Sequence, residues 1–250
     1  MDMENSAWER TLQEAMKLWV IPEIERRKKT GRLPANFNLS RAQIIFGSPI
    51  DKSGVKVRLN DEVKALTKVK LNRKIKEGEI IYLKDIKDIE QIELTDEEKD
   101  FAHFTMMRSR DNWVVAFDFR YNRQRARRHI EIARQFLELA RFSQKKKFYS
   151  AFVDTLFSAA ELLAKSQLLL MPYAKLRSHS RIQSLYSLHA RLGNVKLDYK
   201  DAMCKLSGLR DSARYLKSAF KLKDEEALVY LQTVEEVLDY CLKVLEPDAG

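Results

Sequence analysis

The sequence predicts an α+β fold: a small mixed α+β unit over residues 1–122, followed by an antiparallel helical bundle over 123–250. Three features point there. An amphipathic helix opens the chain, short apolar runs separated by turn residues fill about 40–120, and from about 124 onward the apolar spacing becomes helical and stays so.

In the opening helix Trp8, Leu12, Ala15 and Trp19 recur at spacings of four, three and four residues, which puts them on one face. Pro22 should kink this helix, and Arg26-Arg27-Lys28-Lys29 before Thr30-Gly31 makes a basic C-terminal stop. The runs "AQIIFG" (42–47), "VKVRL" (55–59), "EIIYL" (79–83), "IEQIEL" (89–94) and "WVVAFDF" (113–119) read as strands. Asp51-Lys52-Ser53-Gly54 and Lys76-Glu77-Gly78 supply turns. "TDEEKDFAHFTMMRSR" (95–110) reads as a helix, with Thr95 and Glu98 forming a capping-box pattern.

In the bundle, Ile130, Ala133, Leu137 and Ala140 line one helix, and Phe152, Leu156, Ala159 and Leu163 the next. A shorter helix holds Ile182, Leu185 and His189. Met203, Leu206, Leu209, Ala213, Leu216 and Phe220 stripe another, and Leu231, Val234, Leu238, Cys241 and Leu245 the last. Four or five amphipathic helices with short connections predict an antiparallel bundle.

The composition, 45% hydrophobic and 33% charged, is that of a soluble globular protein. No apolar run approaches the roughly 18 residues of a membrane span, so no membrane partner is expected. The acidic, polar N-terminus MDMENSAWER is unlike a secretory signal, and the two cysteines, Cys204 and Cys241, fit a reduced, cytoplasmic setting. The net charge of +10 favours an acidic partner such as nucleic acid. The excess concentrates in residues 121–150, where Arg123, Arg125, Arg127, Arg128, Arg134, Arg141, Lys145, Lys146 and Lys147 face only Glu131 and Glu138. A solvated helix face is the alternative reading of that run.

No cofactor and no metal are expected. Four scattered histidines and two lone cysteines offer no ligand spacing. The glycine-serine turn in "IIFGSPIDKSG" (44–54) is not followed by paired carboxylates, so a hairpin turn is favoured over a nucleotide-binding one. P-loop, dinucleotide fingerprint and nucleophile elbow are all missing. Asp118, Arg120 and Asn122 share a face if the strand continues, and an Asp–Arg clamp is favoured over a ligand role there.

Residues 125–246 contain, in order, "IEIARQFLELA", "FYSAFVDTLFSAAELLAKSQLLL", "SHSRIQSLYSLHARLG" and "LSGLRDSARY". In this order and spacing they resemble the HEPN superfamily of helical bundles. The N-terminal half, with "VRLNDEV" (57–63) and "DFRYN" (118–122), is similar to uncharacterised proteins that carry such a bundle at the C-terminus. The resemblance implies pairing into a homodimer and, in many members, metal-independent RNase activity from an Arg followed after four to six residues by His. That chemistry uses histidine to move protons and arginine to hold phosphate.

The matching arginine is Arg210, but the three histidine positions hold Tyr215, Leu216 and Lys217. Tyrosine, with a pKa of about 10, is a poor base at neutral pH. Enzymatic activity is therefore left open. The favoured function is a non-catalytic or weakly catalytic RNA-binding module, in defence or stress response. The alternatives are a metal-independent RNase with an atypical site and an oligomerisation scaffold. The anion-binding residues expected are Arg210 and Arg214 with Asp211 orienting one of them, Tyr215 beside them, and the separate group Arg123, Arg125, Arg127 and Arg128. Arg210 should face a groove, with Leu209 and Ala213 on the buried stripe. Arg123 and His129 satisfy the Arg–His spacing as text, but in the first bundle helix. His179 should serve the turn before the third helix, and His189 should be a core residue.

Overall fold

A computed structural model describes residues 3–109, 112–173, 175–215 and 220–245. The chain divides into two compact units, Met1–Arg120 and Tyr121–Gly250.

The first unit opens with α1 (Met3–Ala15), which passes through one π-helical stretch, Met16–Val20, into α2 (Ile21–Lys29). Pro22 thus widens the helix rather than ending it. Its ring crowds the carbonyl four residues back, and the π turn opens that spot. Ala15 and Val20, with half-buried Leu12, Met16, Trp19 and Ile24, pack onto the sheet residues Ala42, Ile44, Leu59, Phe104 and Met106. The side chain of Trp8 lies outside the described residues.

The strands are β1 (Arg41–Phe46), β2 (Val55–Leu59), β3 (Leu66–Leu71), β4 (Ile86–Glu93), β5 (Ala102–Ser109) and β6 (Asn112–Asp118). Four form an antiparallel sheet in the order β2-β1-β5-β6, and β3 pairs with β4 in a separate ribbon. The "IIFGSPIDKSG" segment is the β1–β2 hairpin: Gly47 N–H bonds the Gly54 carbonyl at 3.2 Å. A Cβ at Gly47 would collide with the Ser53 carbonyl oxygen, so the turn needs glycine.

The helix expected over 95–110 is instead a turn followed by β5. Central in the sheet, β5 is buried along Ala102–Met106. A strand covered on both faces loses the alternation that marks a strand in sequence. Glu98 does not cap a helix; its carboxylate takes two hydrogen bonds from Arg58, both at 2.6 Å. "EIIYL" is not a strand either. Ile80, Ile81 and Tyr82 are exposed, Asp85 accepts from the Tyr82 N–H, and pairing starts only at Ile86. The strand that went unexpected, β3, reads "LTKVKL" and is largely exposed, so it carries no apolar run.

The second unit is a bundle of α3 (Arg123–Lys145), α4 (Tyr149–Leu169), α5 (His179–Arg191), α6 (Leu197–Tyr215) and α7 (Asp224–Leu245). Helix α4 is central and packs against the other four. Phe152, Leu156, Leu163 and Leu168 are fully buried, as are Leu137 of α3 and Leu206 of α6. The α6 stripe is shorter than its spacing suggests. Met203 and Leu206 are buried, Leu209 and Ala213 are half-buried, and Leu216 lies outside the described residues. On α7 it is Val237, not Leu238, that is buried. Among the described residues no helix is long and apolar enough to cross a membrane.

Candidate nucleic-acid interface

Helix α4 is apolar on nearly every side, which isolates its polar residues. Asp154, Ser158, Glu161 and Lys165 follow one another at intervals of four, three and four residues, so they form one stripe. Against the first of these, α6 brings both of its late arginines. Arg210 Nε donates to Asp154 Oδ1 at 2.7 Å, and Arg214 Nη2 donates to Asp154 Oδ2 at 3.0 Å. The Arg210 guanidinium also lies 4.9 Å from the centroid of the Phe157 ring, a cation–π distance.

The orienting carboxylate is therefore Asp154, not Asp211. Asp211 is one residue past Arg210, which on a helix turns it about 100° away, and it is exposed. Arg210 is neither core nor free: 22% of its side chain is accessible. Two guanidinium groups share one carboxylate, so the Arg210–Arg214–Asp154 trio keeps a net positive charge. The side chain of Tyr215, and residues Leu216 and Lys217, lie outside the described residues.

A histidine stands on the same aromatic ring. His179 is the first residue of α5, placed by the N-cap Ser178, whose hydroxyl accepts from the Arg181 N–H. Its ring centroid is 6.5 Å from that of Phe157, and its Nδ1 is hydrogen-bonded to the Glu161 carboxylate. Glu161 is mostly buried, whereas 70% of the His179 side chain is accessible. So His179 does more than shape a turn. Phe157 thus has both the Arg210 guanidinium, at 4.9 Å, and the His179 ring, at 6.5 Å, near its own ring centroid.

The other histidines behave differently. His189 is buried, burial holds its pKa below the ordinary value, and its Nδ1 meets the Asn194 amide at 3.1 Å. His129 also has its pKa lowered, chiefly by burial. Its Nδ1 donates to the Arg125 carbonyl at 2.8 Å, so it is tied to its own helix. Asp118 and Arg120 pair locally at the end of β6: Arg120 Nε and Nη2 donate to the carboxylate at 2.9 and 2.7 Å. Asn122 takes a left-handed conformation before α3 and donates to the Leu169 carbonyl at 3.0 Å.

Arg123, Arg125, Arg127 and Arg128 occupy the first two turns of α3, where the last three are exposed. This is the positive end of the helix macrodipole, and no acidic residue sits in the first turn. Asn122 places that end beside Leu169, the last residue of α4. Asp154, the anchor of Arg210 and Arg214, is fifteen residues back along the same helix. At 1.5 Å per residue the two basic groups are separated by roughly 22 Å. The expected anion-binding residues thus form two groups at different levels of α4.

Asp154, Phe157 and Glu161 were not singled out from the sequence. The available signal was their spacing: carboxylates seven residues apart on an otherwise apolar helix. Residues 126–245 match the family model described as HEPN domain. No curated protein and no solved structure matches the chain. The match falls on the helical region α3–α7, and that C-terminal region of the chain is a HEPN domain.

Proposed function

We propose that the HEPN bundle binds RNA through the Arg210–Arg214 pair and cleaves it slowly, without a metal, through His179. The observation that carries this reading is the shared Phe157 ring, which brings a phosphate-binding guanidinium and a carboxylate-held imidazole to one cluster. A guanidinium has five N–H donors, so pairing with Asp154 leaves donors for a phosphate. The Glu161 carboxylate accepts from Nδ1–H of His179, which leaves Nε2 to take a proton.

In the reaction proposed, Nε2 removes the proton of a ribose 2′-hydroxyl. The 2′-oxygen then bonds to phosphorus, the bond from phosphorus to the 5′-oxygen breaks, and the imidazolium returns its proton to that leaving oxygen. Slowness follows from one exposed histidine serving as both base and acid. The arginines at the start of α3 extend the binding surface along the RNA.

Labelled single-stranded RNA incubated with pure protein in EDTA tests this. Wild type should cleave, His179→Ala should bind without cleaving, and Arg210→Ala should bind more weakly. Unchanged cleavage by His179→Ala would remove the histidine from the reaction. Binding that ignores salt would remove the RNA reading altogether.

A homodimer is part of the proposal. Exposed apolar residues on the described bundle include Ile132, Leu139 and Phe142 of α3 and Leu228 and Val229 of α7. Light scattering should give twice the chain mass of 29.3 kDa at micromolar concentration, and a monomer there would contradict it.

A further inference from the structure

The N-terminal unit holds a cavity of about 800 Å³ lined by the start of β1, the end of β5 and the β3–β4 ribbon. Its wall residues are aliphatic: Val69, Ile86, Ile89 and Met107, all half-buried. Its charged lining residues are Arg41, Lys84 and Arg108, and none of the described lining residues is acidic. Thr67 and Ser109 add hydroxyls. The volume is that of a small-molecule site, and apolar walls with a few polar groups are what such sites have in common.

The cations are only loosely committed elsewhere. Arg41 reaches Asp61 at 3.4 Å, but that carboxylate is 97% accessible, so water screens the pair. Lys84 lies 5.6 Å from the Tyr82 ring, and the neighbouring Asp85 carboxylate is hydrogen-bonded to Arg73. The position of Arg41 is fixed by backbone pairing: it is opposite Met107 in the β1–β5 ladder, and Arg108 N–H bonds the Ser40 carbonyl at 2.8 Å.

We infer that this cavity binds an anion carrying an aliphatic chain, a carboxylate or phosphate monoester held by Arg41 and Lys84 with its chain against Val69, Ile86, Ile89 and Met107. The walls decide the apolar part. Among the described lining residues none is aromatic, so these walls offer a nucleobase no ring to stack on, whereas aliphatic side chains suit methylene groups. The charges decide the polar part, because an uncharged alcohol would leave cations at the rim with nothing to neutralise. This inference is independent of the RNA reading, which concerns the other unit.

Calorimetric titration of the full chain with decanoate, decyl phosphate, decanol, inorganic phosphate and adenosine monophosphate tests it, each kept below its micellar concentration. Decanoate or decyl phosphate should bind at least roughly tenfold more tightly than decanol or inorganic phosphate, and which of the two wins identifies the head group. Lys84→Glu and Arg41→Gln should each weaken that binding by roughly tenfold while leaving RNA binding unchanged. Lys84 is exposed, so its replacement tests the site without disturbing the core. Equal affinity in both variants, tighter binding of adenosine monophosphate than of decyl phosphate, or no binding of either amphiphile would overturn the inference.

Discussion

The two units of this chain hold two charged pairs in different ways. In the bundle, the pair of Arg210 and Asp154 stays half-open to water, with Asp154 29% accessible. In the sheet unit, a pair is closed inside. Gln43, Arg58, His103 and Thr105 are buried on the sheet, and Arg58 is bonded to Glu98 and, at 2.9 Å, to the Gln43 side-chain oxygen Oε1. Gln43 in turn donates to the Lys64 carbonyl at 2.8 Å. An open pair leaves its cation able to meet a ligand, whereas a closed one serves the fold and punishes its own disruption.

The comparison is sharpest under mutation. Phe152→Ala empties a fully buried site in the bundle and should cost about 3–5 kcal/mol in denaturant unfolding. Glu98→Ala should cost about 3 kcal/mol, because it strands the buried Arg58 charge, and replacing both partners by Leu and Met should recover much of the loss. If Glu98→Ala is harmless, the contrast between the units fails. Arg210→Ala should cost about 1 kcal/mol of stability or less, while RNA affinity falls roughly tenfold. A several-kcal/mol loss there would make Arg210 a structural residue like Arg58.

Changing Arg123, Arg125, Arg127 and Arg128 to Ala should lower the log–log salt slope of RNA binding by about 0.7 for each phosphate that is no longer neutralised. An unchanged slope would return that run to a solvated surface. The smallest effect expected is on pH. Glu23, bonded to Arg26 and Arg27, is held down to about 2, mainly by the Arg26 hydrogen bond. A lowered carboxylate pKa contributes stability that is present above the ordinary value and is lost as pH falls through about 2. Glu23→Gln should therefore flatten the acid limb of the stability profile below about pH 4.5, with less than about 1 kcal/mol lost at neutrality.

The two units also differ in what could be read from the sequence. In the bundle, Ile130, Ala133, Leu137 and Ala140 stand at helical intervals, and one apolar face is enough to identify each helix. In the sheet unit, β5 has two covered faces, and its interior includes His103 and Thr105, so "AHFTMMRS" shows neither alternation nor a clean apolar run. The capping pattern at Thr95 and Glu98 then pulled the reading toward a helix. The site was half legible. Arg210 and Arg214 follow from spacing within one helix, but Asp154 is 56 residues from Arg210, and His179 meets Glu161 across 18 residues. Those pairings exist only once α4, α5 and α6 have packed.

Sheet connectivity also bears on how the chain is made. Strand β1 takes β2 as its neighbour after a short hairpin, but its other edge is closed by β5, beginning 56 residues beyond Phe46, with the β3–β4 ribbon formed in between. During synthesis Ile44 and Ile45 therefore emerge beside an unpaired edge and wait several seconds, at a rate of roughly 5–20 residues per second, for the strand that covers it. The bundle meets no such delay between its first partners, because α4 begins four residues after α3 ends. The interval before β5 arrives is the stage of biosynthesis at which this protein is most open to aggregation or to capture by a chaperone.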